Sequence, residues 1–284
     1  MSGFSAGWLA LREPADTRAR DAGAGLLDAL PAARDGDGGN AGASMGAGAR
    51  RVLDLGAGTG ANFRYLQPRL AGARHWTLVD HDRTLLDRAL AQAGALKQPP
   101  QSASIDTAVV DLATALDRLP LPDGALVTAS ALLDLVSDDW LTRLAARCRA
   151  ARNPVLFALT YDGRVRCLPV ERDDAWLVTL VNRHQRTDKG FGPALGPHAA
   201  GVAASRFAAA GYRVRRVRSD WRIEADEAAL QQALLEGWAQ AAREIAPAAT
   251  AQVDDWLRRR LRHCRRGRSR LRVGHEDLAG WLPD

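Results

Sequence analysis

The sequence predicts an α/β protein: a doubly wound, mostly parallel sheet with helices on both faces. Apolar segments near residues 51–55, 75–80, 107–111, 124–129 and 154–160 alternate with stretches of helical periodicity. That alternation is the pattern of a parallel sheet. The first segment runs straight into a glycine-rich turn. Four predicted strand ends carry polar side chains, Asp54, Asp80, Asp111 and Ser130. Open sheets of this kind bind ligands at the carboxyl ends of their strands, beside the point where strand order reverses.

In chain order, residues 6–30 read as helical. Trp8, Leu9 and Leu11, then Leu26, Leu27 and Leu30, form the apolar positions, and Pro14 is placed in a first helical turn. With residues 1–33 taken as a helical cap, residues 34–50 follow as a Gly-rich linker. The main domain then spans 51–284, and 284 residues suffice to bury a sizeable core.

The most informative run is Arg51-Val-Leu-Asp-Leu-Gly-Ala-Gly-Thr-Gly-Ala-Asn-Phe63. Gly56, Gly58 and Gly60 lack the Cβ that would keep backbone away from a ligand. Phe63, Leu66 and Leu70 continue as a helix. The spacing Gly56-x-Gly58-x-x-Ala61 also satisfies the dinucleotide fingerprint, so spacing alone leaves a nicotinamide or flavin enzyme open. Asp54 separates the readings. A carboxylate beneath the turn disfavours a pyrophosphate and suits a ligand carrying an ammonium group and no phosphate.

The block Asp54-x-Gly56-x-Gly58-x-Gly60 resembles motif I of the class I S-adenosylmethionine (SAM)-dependent methyltransferases. The resemblance covers residues 51–160 well and the remainder in outline. It implies a seven-stranded sheet closed by an antiparallel C-terminal hairpin, SAM as cofactor and S-adenosylhomocysteine as product. Asp54, Gly56, Ala57, Gly58 and Gly60 would then hold the cofactor. Asp80, ending the segment His75-Trp-Thr-Leu-Val-Asp80, would accept both ribose hydroxyls, with His81 beside it. Asp111 and Leu112 would face the adenine, and Ser130 would end the fourth strand. Related enzymes fold an N-terminal helix over the cofactor, where a basic residue meets its carboxylate; Arg12, or alternatively Arg20, fits that role.

Beyond residue 160 the chain becomes individual. Tyr161-Asp-Gly163 is read as leaving the fifth strand, and 161–197 as a substrate loop rich in glycine, proline and titratable groups. Residues 198–210 read as a helix and Gly211–Ile223 as an alternating sixth strand. Residues 224–266 form a helical insertion and Ser269–Gly274 a seventh strand. Because a sulfonium methyl is already activated, the protein's task is mainly to align a nucleophile. A base is needed only for a protonated hydroxyl or ammonium acceptor. His184, Tyr161 and Asp188 are the candidate catalytic residues, ahead of His198 and His275.

Composition narrows the function class. The net charge is +6, yet only Lys97 and Lys189 are lysines. The run Arg258–Arg272 offers a positive face that could follow phosphates, but it lacks interleaved aromatics for base stacking. Cys148, Cys167 and Cys264 stand far apart in sequence, so no metal site or disulfide framework is indicated, and a reduced cytoplasmic protein is expected. No segment is apolar enough to span a membrane and no signal peptide is visible. The acceptor motifs of DNA base methyltransferases are absent. The expectation is a methyltransferase acting on an O or N atom of a small molecule. Two alternatives stand beside it: an RNA or protein methyltransferase using Arg258–Arg272, and a non-catalytic SAM-binding protein.

Overall fold

A computed structural model describes residues 5–21, 24–30, 50–70, 72–95 and 103–283. Apart from Arg50, the expected linker 34–50 lies outside them. One eight-stranded sheet organises the chain. Strands β1 (Arg50–Leu55), β2 (Ala73–Asp80), β3 (Ser104–Val109), β4 (Leu126–Ser130) and β5 (Val155–Leu168) are parallel neighbours in the order β3-β2-β1-β4-β5. β6 (Arg213–Arg218), β7 (Trp221–Ile223) and β8 (Arg270–Trp281) complete it, with β8 antiparallel between β5 and β6. Order therefore reverses between β1 and β4, and Asp54 of β1 is paired with Thr128 of β4 at that switch.

Side-chain alternation explains which face each residue serves. Leu53, Leu55, Val127, Ala129, Val155 and Phe157 join one apolar core with α5 (Asp138–Ala150) and α7 (Ala199–Ala209). The four-residue α4 (Leu112–Ala115) also lies on that face. The opposite face carries Val52, Leu126 and Leu156 against α2 (Ala61–Leu66) and α3 (Arg83–Gly94). Two positions on this second face are polar, Asp54 and Thr128. Both are fully buried, so their presence in an otherwise apolar layer demands partners.

A third core lies beyond the parallel sheet. The outer halves of β5 and β8, with β7, pack against α1 (Ala6–Asp21), α6 (Asp174–His184), α8 (Ala228–Ile245) and α9 (Thr250–Arg265). Trp256, Leu235, Ala239 and Ala242 fill this layer with no more than a few per cent exposure. Burying a side chain the size of Leu235 stabilises by about 1.5–3 kcal/mol.

Several boundaries differ from the sequence reading. Seven strands follow one path, but β7 is an eighth, paired to β8 beside β6. The predicted sixth strand is divided into β6 and β7, which keep one register against β8, and Ser219 between them still donates its N–H to the His275 carbonyl at 2.9 Å and its Oγ to Asp277. Tyr161-Asp-Gly163 continues β5 instead of leaving it, since β8 pairs with β5 as far as Leu168. The expected substrate loop thus contains the outer part of β5 and all of α6. The last strand runs to Trp281 rather than ending at Gly274. Glycine is used there for close packing: a Cβ at Gly274 would fall 2.1 Å from Asp162 Oδ1. Pro14 sits inside α1, not in its first turn; α1 begins at Ala6, where Trp8 and Leu11 already pack on the third core.

Candidate functional site

The glycine turn between β1 and α2 is built on left-handed backbone. Gly56, Gly58 and Gly60 have φ of 66°, 53° and 80°, angles that favour glycine over residues with a Cβ. The turn is tied to β2 twice. Ala57 N–H donates to the Val79 carbonyl at 2.9 Å, and Gly58 N–H donates to Asp80 Oδ2 at 2.8 Å. Space above it is tight, for a Cβ at Gly58 would meet Leu9 of α1 at 3.2 Å and one at Gly56 would meet Leu132 at 3.5 Å.

Beneath the turn lies a buried polar relay. Asn62, on the first turn of α2, donates to Asp54 Oδ1 at 2.6 Å and to Thr128 Oγ1 at 3.2 Å. Its own Oδ1 accepts Arg20 Nη1 at 2.9 Å. The Thr128 hydroxyl donates to the Leu156 carbonyl at 2.7 Å. One atom stays outside the relay: Asp54 Oδ2 is buried with no partner. Burial therefore pushes the Asp54 carboxyl up to about 7, against the Asn62 hydrogen bond and the nearby Arg20 charge. Sequence reasoning missed Asn62, although an amide at the start of the helix that follows a strand-end acid is a natural donor to it.

Asp80 is the other strand-end acid whose geometry is defined by the turn. Its Oδ1 accepts the Asp82 N–H at 3.0 Å and lies 3.1 Å from the exposed His81 ring. Each oxygen retains lone-pair capacity. Asp111 is exposed and caps α4, accepting the Ala113 N–H at 2.9 Å and the Thr114 hydroxyl at 3.1 Å. The neighbouring Leu112 is buried, and its carbonyl accepts the Trp140 indole at 2.7 Å. Ser130 lines a small cleft with Asp16, Arg20, Asn62 and Tyr65. Ala131, the next residue, holds φ at 53°, a strained angle for a residue with a Cβ.

The two candidate basic residues of α1 occupy different places. Arg20 is buried on the relay, its guanidinium 3.9 Å from the Tyr65 ring centre. Arg12, the one selected from sequence, instead chelates Asp16 at 2.9 and 3.1 Å and lies 5.0 Å over the Trp221 ring. Of the two, Arg20 alone touches the elements under the glycine turn.

The expected catalytic trio is not assembled. Tyr161 is buried and donates its hydroxyl to Asn182 at 2.7 Å; burial raises its pKa. His184 ends α6, 2.9 Å from Glu244 and 3.3 Å from Lys189 Nζ. Asp188 folds its own loop, accepting the Gly190 and Gly192 N–H groups. No hydrogen bond or ion pair among the described residues joins the three to one another or to the glycine turn. Two other buried titratable groups stand outside this trio. His275 of β8 lies between Trp221, at 4.9 Å, and Tyr161, at 6.2 Å. Asp134 follows β4, and its buried Oδ1 has no partner.

The basic run 258–272 is largely engaged within the protein. Arg259 and His263 pair with Glu171 at 3.0 and 2.8 Å, and the fully buried Arg260 pairs with Asp174. Arg270 and Arg272 pair with Glu224 and Asp220, each at 2.8 Å. The acids at the start of α6 pair the inward half of this run.

No protein-family model matches the sequence, and no curated protein matches it. Among solved structures, the chain is similar to the cyclopropane synthase MmaA2 from Mycobacterium tuberculosis. Identity is 13%, coverage 92% of this chain and 84% of that one, and the TM-score 0.45. A SAM-dependent methyltransferase from Leishmania major has 16% identity, 73% and 66% coverage and a TM-score of 0.45. Geranyl diphosphate methyltransferase in complex with SAM has 14% identity, 92% and 85% coverage and a TM-score of 0.43.

Proposed function

We propose that this chain is a SAM-dependent methyltransferase acting on an O or N atom of a small-molecule acceptor. The observation that carries the reading is Asp54: a buried carboxylate at the switch point, beneath three left-handed glycines, with one oxygen lacking a partner. A pyrophosphate there would set charge against charge. An ammonium group would satisfy Oδ2 and return the acid to its ionised form. The residues present therefore fit SAM. Asp54 would face its amino group and Asp80 its ribose, Gly58 and Gly60 would allow close backbone approach, and Arg20 would face its carboxylate.

The cofactor's contribution is a methyl group already activated on a sulfonium. The chain's own part is to orient and to exclude water, through α1 lying across the glycine turn and the apolar side chains Leu9 and Leu132 flanking it. Gly58 N–H holds the Asp80 carboxylate in one orientation, so two ribose hydroxyls would meet a fixed acceptor. We place the protein in a reducing compartment, the cytoplasm, because its three cysteines are buried free thiols.

Calorimetric titration with S-adenosylhomocysteine, and with NADH as control, tests the reading. Micromolar binding of the first alone is expected; binding of NADH alone would transfer the site to a dinucleotide. An RNA acceptor held by the arginines left unpaired would instead bind with a steep salt dependence.

A further inference from the structure

Beyond residue 160 the sheet has one covered face and one bare face. Val165, Cys167, Trp221, Ile223, Leu271 and Val273 point into the third core. The residues between them point the other way, as strand alternation requires. These are Arg166 and Leu168 of β5, Arg222 of β7, and Arg270 and Arg272 of β8, all exposed. Arg166 and Arg222 are both register partners of Arg272, so three arginines lie in one row across three strands. Like charges directly opposite one another destabilise a sheet. One of the three has an acid: Arg272 Nε donates to Asp220 at 2.8 Å, and Asp220 is shared with Arg164. Arg166 and Arg222 have no side-chain hydrogen bond or ion pair among the described residues. Folding alone does not account for this row.

The row ends in an apolar tip. Leu168, the register partner of Arg270, is 38% exposed, and Val170 is 71% exposed. The tip is held in place from behind. The buried Arg260 donates Nη1 to the Pro169 carbonyl at 2.6 Å, and Glu171 N–H donates to Asp174 Oδ2 at 2.8 Å. In the turn leading into β8, Arg266 and Arg268 are exposed, with no ion pair among the described residues. β5 runs on past Ala158, the register partner of Ser130 at the end of β4. Row and tip therefore stand at the carboxyl edge of the sheet, the edge that carries the glycine turn.

Clustered cations call for an anion, and the tip decides its kind. The phosphates of a nucleic acid would meet the arginines but gain nothing from Leu168 and Val170. Bases would also lack a stacking platform, for none of the exposed large apolar side chains among the described residues is aromatic. A bilayer containing anionic lipid uses both features: its headgroups attract the arginines, and aliphatic side chains enter the acyl boundary. We infer that this sheet face docks the protein on an anionic lipid surface, with Arg166, Arg222, Arg270 and Arg272 against the headgroups and Leu168 and Val170 inserted. No described helix is long and apolar enough to cross a membrane, so the attachment is peripheral and weakens with salt. It goes beyond the methyltransferase reading and does not depend on it.

The test sediments the full chain, without cofactor, with vesicles of equal parts phosphatidylglycerol and phosphatidylcholine, and with phosphatidylcholine alone. Binding to the first only is expected. An arginine at an anionic surface contributes about fivefold in affinity, so the double variant Arg166→Gln/Arg222→Gln should lose about twentyfold. Arg88→Gln/Arg118→Gln removes the same charge from exposed, unpaired arginines elsewhere. Its loss should stay within about twofold, because charges far from the contact are screened. Val170→Ser should weaken vesicle binding several-fold. A polarity-sensitive dye on Val170→Cys should shift to the blue on the anionic vesicles; the native cysteines are buried. Equal binding to both vesicle types, equal losses from the two arginine pairs, or an unshifted dye would overturn docking by this face. Tighter binding of a single-stranded RNA, unaffected by Val170→Ser, would overturn it in favour of a nucleic-acid surface.

Discussion

Replacing Asp54 by Asn should make the protein more stable at alkaline pH while removing its cofactor. The folded-state pKa of Asp54 is about 7 against an ordinary 3.8, chiefly because burial opposes the charge. A raised acid stabilises nothing once it must ionise: its contribution is whole below the unfolded pKa and is lost as pH rises through the folded one. The carboxyl thus keeps its proton to a pH about three higher in the fold than in the unfolded chain. At about 1.36 kcal/mol per unit this amounts to a cost of about 4 kcal/mol by about pH 8. Near pH 5 the cost is only about 1.6 kcal/mol, since the folded group is still protonated while the unfolded one has ionised. The uncharged amide of the variant has no such penalty. Its carbonyl can still accept from Asn62, but its NH2 would put a donor where Oδ2 has no partner, at about 1–3 kcal/mol. The variant should therefore be about as stable as the wild type near pH 5 and more stable by about 1–3 kcal/mol near pH 8. Other titrating groups are common to both proteins and cancel in the difference. Urea unfolding of both proteins across this range measures it, alongside titration with S-adenosylhomocysteine. A wild-type minus variant difference that stays flat with pH would refute the account of Asp54 as a charge held ready for a ligand ammonium.

Three further sets of substitutions probe other parts of the structure. Asp80→Ala should weaken S-adenosylhomocysteine binding by about a hundredfold or more, since two charge-assisted bonds of roughly 1.5–3 kcal/mol each are lost; a folded variant with unchanged calorimetric affinity would move the ribose elsewhere. Tyr161→Phe and His184→Ala should each keep kcat within a few-fold, because the first hydroxyl is committed to Asn182 and the second side chain to Glu244. A loss of a thousandfold in either would restore it as a catalytic residue. Arg260→Met should lower stability by about 3–5 kcal/mol, because Asp174 would be left without its buried partner. Thermal unfolding reads this as a fall of roughly 2–4 °C per kcal/mol, and a melting point unchanged within a degree or so would contradict the burial of that pair.

The parts of the molecule legible in sequence were those that local chemistry dictates. The apolar run 51–55 ends in glycines whose positive φ only a missing Cβ makes easy, so the β1 turn and the strand-end acid beneath it could be read directly. Alternation of β and α segments implied the parallel sheet, and the acids at 54 and 80 stood at strand ends as expected. The helices of 224–266 were visible from the spacing of Leu230, Leu234 and Trp238.

What tertiary structure decided was every feature that depends on a distant partner. Tyr161 belongs to a strand because β8 pairs with it from more than a hundred residues away. His184 and Asp188, neighbours in sequence and suggestive together, face different partners because α6 ends between them. The arginines of 258–272 are indistinguishable by type, and only the acids at the start of α6 decide which are buried and which meet solvent. Arg20 rather than Arg12 reaches the glycine turn because Asn62 lies in its path. His275 of β8 meets Tyr161 of β5 and Trp221 of β7 only because three strands distant in sequence are brought side by side. Strand and turn formation are local free energies written in adjacent residues. Burial of charge and the pairing of polar atoms are set by whichever groups the completed sheet brings within a few ångströms.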